Sequence, residues 1–272
     1  MTETLCGVVL HPAGHTLSPV LHETAYEELG VEARYDVFDV PAGDLEALLA
    51  GQRQRGLRPL SVSLPHKQAA LQLADRCSDA ARTIGAANTL TVQEDGSLVA
   101  DNTDWLGVRG SLAGFGDWSG RRALVLGAGG AARGAVYALL DLGMRVAVWN
   151  RPPERAEQLV RELGAETGAR DSEHDLLVNT TSVGMAPHGG DSPFPAALLR
   201  SDSVVFDAVY RPLETRLLRE ARAAGCRTQD GLEMLVLQAA EQIRIWSGHS
   251  PDPSRMRKKG LQALGETAEI VR

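Results

Sequence analysis

The chain has 272 residues, a length that predicts two domains rather than one. Its formal net charge is −7 at neutral pH, which argues against a broad nucleic-acid-binding surface but allows a local site for a small anion. No apolar stretch approaches the ~20 residues that a membrane-spanning helix needs, and we expect no signal peptide before the first strand. We therefore expect no nucleic-acid partner, no membrane partner and a cytoplasmic location.

The predicted elements alternate between strand and helix. Strands are predicted over residues 5–10, 35–40, 60–64, 88–92, 97–100, 122–126, 145–149, 175–179 and 203–208. Ser18 is expected to cap the first helix, and further helices are predicted over residues 44–54, 68–77, 105–113, 130–142, 154–163, 213–224, 232–246 and 255–270. This alternation predicts an α/β fold with parallel sheets and right-handed crossovers. The turn Glu94-Asp-Gly96 predicts one hairpin, and glycines between residues 114 and 120 indicate a domain boundary.

Lysine is rare in this chain, since only three of its 28 basic residues are lysines: Lys67, Lys258 and Lys259. An ammonium group can exchange its proton in an enzyme site, whereas a guanidinium cannot. Lys258 and Lys259 belong to a charged segment typical of solvated surface. Lys67 follows the apolar run 59–65, which predicts a buried strand that ends at a proline. Lys67 is therefore a candidate for proton transfer, and the alternative is an accidental surface lysine.

The cysteines and the N-terminal histidines give little sign of a metal site. The chain has three cysteines, Cys6, Cys77 and Cys226. None forms a C-x-x-C pair, so we expect buried free thiols rather than a zinc ribbon or a redox dithiol. His11, His15 and His22 are close in sequence, but Pro12 and Gly14 interrupt any helix that would align the first two. We predict no metal.

A glycine-rich turn follows the strand 122–126 and opens a helix. It consists of Gly127, Ala128, Gly129, Gly130, Ala131 and Ala132. Gly127 permits the tight turn, Gly129 allows a pyrophosphate to approach the backbone, and Ala132 takes the place of a third glycine at the helix–strand contact. The free amides at the start of the helix can then bind phosphates. The alternative is a glycine-rich turn without a ligand.

The end of the next strand indicates which dinucleotide binds. An NAD site places Asp or Glu about 20 residues after the glycine motif, to hold the ribose 2′-hydroxyl. Here the strand ends in Asn150-Arg151, and Arg155 follows one turn later. A 2′-phosphate would be repelled by a carboxylate and held by two guanidinium groups. The pattern predicts NADP, although Arg151 and Arg155 could also be solvated helix charges.

Eight segments in order resemble the shikimate dehydrogenase family, and the likeness covers nearly the whole chain. They are His15-Thr-Leu-Ser-Pro19 followed by His22, Ser63-Leu-Pro-His-Lys67, Gly85-Ala-Ala-Asn-Thr89, Asp101-Asn-Thr-Asp104, Gly127-Ala-Gly-Gly130, Asn150-Arg151, Asn179-Thr-Thr-Ser182 and Asp230-Gly-Leu-Glu-Met234 followed by Gln238. The family reduces 3-dehydroshikimate to shikimate with NADPH, a step towards aromatic amino acids. Its fold combines an N-terminal α/β substrate domain, rejoined by the C-terminal helices, with a Rossmann-like NADP-binding domain. The resemblance implies a substrate domain over residues 1–104 and 239–272 and an NADP-binding domain over residues 105–238.

The resemblance also assigns residues to roles. Lys67 and Asp104 are the catalytic pair: the ammonium stabilises and protonates the developing alkoxide, and the carboxylate orients the lysine. Substrate binding is implied for Thr16, Ser18, Ser63, Asn88, Tyr210 and Gln238, together with the catalytic pair. Cofactor binding is implied for Gly127, Ala128, Gly129, Gly130, Ala131, Asn150, Arg151, Arg155, Thr181, Ser182, Ala208 and Gly231. Ser18 and Asp104 could instead be helix caps.

Some residues depart from the family pattern. Thr16 stands where the family has serine, and Ser63 where it has threonine. Relative to the family, the pocket thus gains a methyl group at residue 16 and loses one at residue 63. Relatives that oxidise quinate differ at these same positions. Pro152 replaces a threonine after Asn-Arg, and His66 replaces an apolar residue beside Lys67. The resemblance thus implies an NADP-dependent shikimate dehydrogenase, which we expect to be a monomer or homodimer. The alternatives are a broader quinate/shikimate dehydrogenase and a non-catalytic NADP-binding sensor.

Overall fold

The computed structural model describes residues 4–14, 16–55 and 59–265. The chain divides into two compact units, called here the first unit (Met1–Thr103 and Gln238–Arg272) and the second unit (Asp104–Leu237). Asp104 thus belongs to the second unit and Gln238 to the first, whereas the expected domain bounds assigned each to the other part. Alternating strands and helices confirm the predicted α/β class.

The first unit contains a mixed sheet. Its elements are β1 (Thr4–Leu10), α1 (Ser18–Leu29), β2 (Ala33–Asp39), α2 (Leu45–Arg55), β3 (Leu60–Val62), α3 (Lys67–Leu73), β4 (Arg76–Cys77), α4 (Asp79–Ile84), β5 (Thr89–Val92) and β6 (Leu98–Asp101), with the C-terminal α10 (Pro253–Leu264). The strand order is β2-β1-β3-β5-β6-β4. β1 is parallel to β2 and β3, whereas β5 runs antiparallel to β3 and β6. The predicted hairpin is thereby confirmed, and Gly96 in its turn has a φ of +80°.

The second unit contains a six-stranded, fully parallel sheet. Its elements are α5 (Asp104–Leu112), β7 (Arg122–Leu126), α6 (Gly130–Asp141), β8 (Arg145–Trp149), α7 (Glu154–Leu163), β9 (Glu166–Thr167), β10 (Leu176–Asn179), β11 (Val204–Asp207), α8 (Arg216–Ala223), β12 (Arg227–Gln229) and the start of α9 (Gly231–Ser247). The strand order is β12-β11-β10-β7-β8-β9. All its ladders are parallel. This is the doubly wound order of dinucleotide-binding folds, as predicted.

Both faces of this second sheet are buried. Ala123 and Val125 of β7 pack in a cluster with residues of α6 and α7. Leu124 and Leu126 of the same strand pack in a second cluster with residues of α8. Because neighbouring strand residues point to opposite faces, a parallel strand covered on both sides reads as a continuous apolar run. The run 122–126 has this character, and its predicted bounds match β7.

The short elements β4, α4, β9 and β12 were not predicted. The expected helix 68–77 ends at Leu73, and β4 and α4 follow it. Ser78 caps α4 by accepting a hydrogen bond from the backbone amide of Ala81, at 3.1 Å. β9 and β12 have two and three residues, too few to show an alternating pattern. The helix expected over 255–270 ends at Leu264, and residues 266–272 lie outside the described part of the chain.

Two further expectations about individual residues are wrong. Leu17, not Ser18, occupies the N-cap position of α1, and Ser18 is the first helical residue. Cys6 and Cys226 are buried free thiols as expected, but Cys77 is only half-buried because it lies on the edge strand β4. Among the described helices, none combines the length and the apolar character that crossing a membrane requires.

Candidate functional site

Lys67 is the first residue of α3, in the first unit. Its carbonyl oxygen accepts a hydrogen bond from the backbone amide of Ala87, at 2.8 Å, and this bond ties the start of α3 to the segment before β5. Lys67 is half-buried. The preceding His66 is 2% exposed, and its Nε2 lies 2.7 Å from the carbonyl oxygen of Val40. Because a carbonyl only accepts, His66 donates here and serves to anchor the loop before Lys67.

Asn88 is the centre of a buried hydrogen-bond network in the same unit. Its side-chain Nδ2 donates to Oε1 of Gln238, at 3.1 Å, and to Oγ1 of Thr103, at 2.9 Å. Its Oδ1 accepts from the backbone amide of Thr103, at 2.7 Å, and from the hydroxyl of Thr89, at 2.8 Å. Thr103 in turn donates to the carbonyl oxygen of Gln238, at 2.9 Å. The Asn88 amide is therefore held in one orientation.

Gln242 extends this network away from Asn88. Its Nε2 donates to the carbonyl oxygen of Asn88, at 2.9 Å, and to the hydroxyl of Thr89, at 3.1 Å. Its Oε1 accepts from the hydroxyl of Ser61, at 2.8 Å, which itself accepts from the hydroxyl of Tyr35, at 2.6 Å. Sequence reasoning missed Tyr35, Ser61 and Gln242. Tyr35 and Ser61 are separated by 26 residues and Ser61 and Gln242 by 181, so no local pattern could relate them.

Thr16 and Ser18 form a local pair before α1. The Thr16 Oγ1 lies 3.2 Å from the Ser18 Oγ and accepts a hydrogen bond from the Ser18 backbone amide, also at 3.2 Å. Ser18 is 8% exposed, whereas Thr16 and Ser63 are half-buried. The Ser63 backbone amide donates to the carbonyl oxygen of Val9, at 2.9 Å. These contacts fix the backbone at Ser18 and at Ser63.

His22 is fully buried and stacks on Tyr35, with their ring centroids 4.0 Å apart. Burial disfavours the charged imidazolium and lowers the His22 pKa from 6.5 to about 3. His22 is therefore a neutral core residue and not the metal ligand weighed above. His15 lies outside the described residues. No group of three or more His, Cys, Asp or Glu side chains in the described ranges could hold a metal ion.

The glycine motif of the second unit forms an open cradle. Gly127 has a φ of +111°, and a Cβ there would lie 2.6 Å from the Thr180 Oγ1. Gly129 occupies the N-cap position of α6 in an extended conformation, and a Cβ there would meet nothing within 4 Å. No side chain caps this helix. The amides of its first turn, which begins with Gly130 and Ala131, are thus placed to bind an anion, with Ala128 in the turn before them.

The end of β8 carries the residues expected to select the dinucleotide. Asn150 donates from Nδ2 to the carbonyl oxygen of Pro152, at 2.7 Å, which shapes the turn. Arg151 and Arg155 are exposed. The Arg151 guanidinium carbon lies 5.8 Å from the ring centroid of Trp149, the last residue of β8. The segment therefore presents two guanidinium groups, and the exposed carboxylate of Glu154, the first residue of α7, lies between them in the sequence.

Asn179 positions the loop that contains Thr181 and Ser182. Its Oδ1 accepts from the Thr181 backbone amide, at 3.0 Å, and from the Thr181 hydroxyl, at 2.7 Å. Its Nδ2 donates to Oδ1 of Asp207, at 2.8 Å. Thr181 also lies near the glycine motif, since a Cβ on Gly127 would lie 3.2 Å from its Cγ2. Ser182 is exposed.

Ala208 and Gly231 are in close contact, although they are distant in sequence. A Cβ on Gly231 would lie 2.3 Å from the carbonyl oxygen of Ala208, so only glycine fits at the start of α9. The Ala208 backbone amide donates to the carbonyl oxygen of Asn179, at 2.9 Å. Tyr210 follows on the same loop and is half-buried. The structure thus brings Ala208 and Gly231 together at the ends of neighbouring elements of the second unit.

Asp104, the other half of the expected catalytic pair, begins α5. It is 3% exposed, and it is the first residue of the second unit. A buried carboxylate at the first position of a helix is held by its surroundings in a defined place. Lys67 and Asp104 therefore each begin a helix, one in each unit.

Models of three protein families match successive parts of the chain. The shikimate dehydrogenase substrate-binding domain matches residues 8–90, the shikimate/quinate 5-dehydrogenase family residues 111–179, and the shikimate 5′-dehydrogenase C-terminal domain residues 231–259. A shikimate dehydrogenase (NADP⁺) from Thermococcus kodakarensis is 42% identical over 270 residues, which cover 96% of this chain and 97% of the relative. The chain belongs to the shikimate dehydrogenase family.

Solved structures of the family have the same fold. The shikimate 5-dehydrogenase from Thermus thermophilus, in complex with NADP(H) and shikimate, is 43% identical with a TM-score of 0.90. The alignment covers 96% of this chain and all of that one. A quinate dehydrogenase from Corynebacterium glutamicum in complex with NAD is 32% identical, with a TM-score of 0.86, and the alignment covers 96% of this chain and 99% of that one.

Proposed function

We propose that this chain is an NADP-dependent shikimate dehydrogenase, which reversibly reduces 3-dehydroshikimate to shikimate. The single observation that carries the proposal is the likeness, over 96% of the chain, to the Thermus thermophilus enzyme solved with NADP(H) and shikimate. The curated relatives support it, since they are NADP⁺-dependent shikimate dehydrogenases at about the same identity. The first unit would bind the small-molecule substrate, and the second the dinucleotide.

The residues of the second unit fit an NADP dinucleotide. The space above Gly129 and the uncapped amides at the start of α6 suit a pyrophosphate. The exposed guanidinium groups of Arg151 and Arg155 suit a 2′-phosphate, beside the Asn150 turn. The remaining assigned residues, Thr181, Ser182, Ala208 and Gly231, would line the nicotinamide end. When bound, NADPH supplies the hydride for ketone reduction.

The protein supplies the proton that completes the ketone reduction. Hydride addition to a ketone leaves negative charge on oxygen, which a nearby ammonium can stabilise and then protonate. Lys67 is assigned this role on the basis of the family resemblance and its half-buried position at the start of α3. Asp104 is assigned the role of the carboxylate that orients the lysine and contacts a substrate hydroxyl. Its burial at the first position of α5 supports a defined orientation.

Substrate recognition is assigned to neutral polar groups. Thr16 and Ser18, with Tyr210, would bind the substrate carboxylate. Ser63, Asn88 and Gln238 would bind the ring hydroxyls. The hydrogen bonds that hold Asn88 and Gln238 in fixed orientations support this assignment, because a prearranged side chain loses less freedom when it binds.

A broader quinate/shikimate dehydrogenase is the second candidate. It is favoured by the exchange of serine and threonine at Thr16 and Ser63 and by the 32% identity with a quinate dehydrogenase. A displaced methyl group changes discrimination by only about 1–3 kcal/mol, so both substrates could be accepted. That quinate dehydrogenase was solved with NAD, but its choice between NAD and NADP is a property of its own residues. Asn150 at the end of β8, where an NAD site has an acidic residue, favours NADP here.

The deciding experiment follows the reduction of NADP⁺ or NAD⁺ in the presence of shikimate or quinate. We expect the highest kcat/KM with shikimate and NADP⁺. Comparable values with quinate would establish the broader enzyme. Tight NADP binding without turnover of either substrate would instead indicate the non-catalytic sensor and refute the proposal. Light scattering in the same buffer distinguishes the predicted monomer from the predicted homodimer.

A further inference from the structure

Two guanidinium groups lie over the same indole ring at the end of β8. The guanidinium carbon of Arg170 lies 4.2 Å from the ring centroid of Trp149, and that of Arg151 lies 5.8 Å from it. Trp149 is followed directly by Asn150 and Arg151, which carry the assigned 2′-phosphate contacts. Arg170 comes from another segment, after β9, and nothing in the sequence pattern pointed to it.

The position of Arg170 over Trp149 follows from the close packing of the chain at Gly168 against β7 and β8. β9 is parallel to β8, so the chain leaves both strands at the same edge of the sheet. The Gly168 backbone amide donates to the carbonyl oxygen of Val148, at 2.8 Å. A Cβ on Gly168 would lie 3.0 Å from the Ala147 Cβ and 3.1 Å from the Leu124 Cδ1, so glycine permits the tight packing. The following turn is closed by a hydrogen bond from the Ala169 amide to the Ser172 hydroxyl, at 2.9 Å.

The charge on Arg170 is not matched by an acid. Other arginines of the second unit pair with carboxylates, among them Arg133 with Glu162 and Arg122 with Glu173. Within residues 4–14, 16–55 and 59–265, neither Arg170 nor Arg151 forms an ion pair. The Nε of Arg170 is buried and has no hydrogen-bond partner in the same part of the chain. A half-buried guanidinium with unused donors attracts an anion.

We propose that Arg170, stacked on Trp149, is a third cation of the 2′-phosphate site and a determinant of NADP selectivity. Stacking on the indole holds the planar group without consuming its N–H donors. The Nε is buried, so the donors offered to phosphate oxygens, through charge-assisted hydrogen bonds, are those of the two Nη groups. Arg170 would also compensate for the hydroxyl that Pro152 does not provide. The inference rests on the proposed function for the location of the 2′-phosphate.

The test uses two adenosine ligands that differ by one phosphate, adenosine 2′,5′-bisphosphate and adenosine 5′-monophosphate. Calorimetry gives the dissociation constant of each for the full chain and for Arg170→Met, which keeps an apolar side chain over Trp149 without charge or donors. We expect the constant for the bisphosphate to rise about tenfold, the loss of one charge-assisted contact, and that for the monophosphate to change less than about twofold. Arg170→Lys should recover part of the loss. Arg145→Met, at the opposite end of β8, is the matched control and should change neither constant.

The outcomes separate this inference from the proposed function. Equal weakening of both ligands would mean that Arg170 only supports the fold around Trp149, and would overturn the inference. An unchanged bisphosphate constant would also overturn it, while shikimate-dependent NADP⁺ reduction by the wild-type chain would still uphold the enzyme. Conversely, selective loss of bisphosphate binding in a chain that turns over neither shikimate nor quinate would uphold the inference and refute the enzyme. Thermal melting of each variant identifies any that fails to fold.

Discussion

Asp207 and Asn179 join the carboxyl ends of β11 and β10 by a side-chain hydrogen bond of 2.8 Å. Asp207 is fully buried and accepts two further bonds, from the Thr215 hydroxyl at 2.6 Å and from the Val209 backbone amide at 3.0 Å. One carboxylate thus holds the N-cap of α8, the loop leading to Tyr210 and, through Asn179, the Thr181 loop. The Thr181 loop and the loop leading to Tyr210 both contain residues with assigned binding roles. Both loops therefore depend on Asp207, a side chain to which no contact with substrate or cofactor is assigned.

Asp207→Ala should destabilise the second unit severely. The substitution leaves the Asn179 amide, the Thr215 hydroxyl and the Val209 amide without their shared buried acceptor, and each unsatisfied group costs about 1–3 kcal/mol. We expect the free energy of unfolding, measured in urea, to fall by at least about 3 kcal/mol. Asp79→Ala, which removes an exposed carboxylate, is the control and should change it by less than about 0.5 kcal/mol. An Asp207→Ala chain as stable as wild type would show that the bonds are not coupled to folding.

The same carboxyl group should make stability depend on pH. Burial is the largest influence on Asp207 and raises its pKa from 3.8 to about 6. A raised carboxyl pKa means that the folded state binds the proton more tightly. The resulting stabilisation is complete below about pH 4 and is lost as the pH rises through about 6. Unfolding free energies measured between about pH 4 and 7 should therefore decline for wild type relative to Asp207→Asn, and parallel curves would exclude the effect.

His22 should have the opposite effect on stability, which it should lower as the pH becomes more acidic. Its folded-state pKa of about 3 lies below the unfolded value of 6.5, so the unfolded state takes up a proton first. The stability present above pH 6.5 is then lost as the pH falls towards 3, with a slope approaching about 1.4 kcal/mol per pH unit. His22→Phe should lack this slope in urea titrations at each pH. His249→Asn, which removes an exposed imidazole, should keep it.

Substitutions at Gly127 and Gly129 of the glycine motif should affect protein stability and NADP⁺ binding differently. Gly129→Ala places a methyl group in open space and in an allowed backbone conformation, so its melting temperature should match that of wild type. Its dissociation constant for NADP⁺ should nevertheless rise more than about tenfold, because the methyl group would block the approach of the pyrophosphate. Gly127→Ala should lose both stability and binding, since its φ of +111° and the Thr180 hydroxyl leave no room. Unchanged NADP⁺ affinity in Gly129→Ala would place the phosphates elsewhere.

Lys67→Ala should remove turnover and spare substrate affinity. Loss of a positioned proton donor typically costs about 10²–10⁴ in kcat. The KM for shikimate should change only a few-fold, because neutral groups are assigned most of the binding. Lys258→Ala, in α10, removes a different lysine and should leave both parameters unchanged. A loss of less than about tenfold in kcat would contradict the role assigned to Lys67.

Local patterns in the sequence were sufficient for much of the fold. The strands β7 and β8 and the helix α7 have the predicted bounds, because their apolar runs and helical periodicity are long and are bounded by glycine or proline. Residues 74–77 were mistaken for the end of a helix, and α4 was not predicted. Ser78 and Gly85 bracket α4 as its N-cap and its left-handed C-cap, a signal that was present but spans only six helical residues.

Long-range contacts of the candidate site could not be predicted. The resemblance names Asn88 and Gln238, but their mutual hydrogen bond joins residues 150 positions apart. Arg170 shows the same limit, because its stacking on Trp149 depends on how closely β9 packs at Gly168. Such relationships follow from the register of strands, which no run of neighbouring residues specifies.

The two sheets differ at their outer strands. The second sheet ends in β9 and β12, which are only two and three residues long and leave few unpaired backbone amides. The first sheet ends on one side in β2, which has seven residues but carries an Arg34–Asp36 ion pair. Short strands and charged side chains both discourage a foreign strand from pairing there. The chain is thereby protected at these edges against aggregation by strand addition.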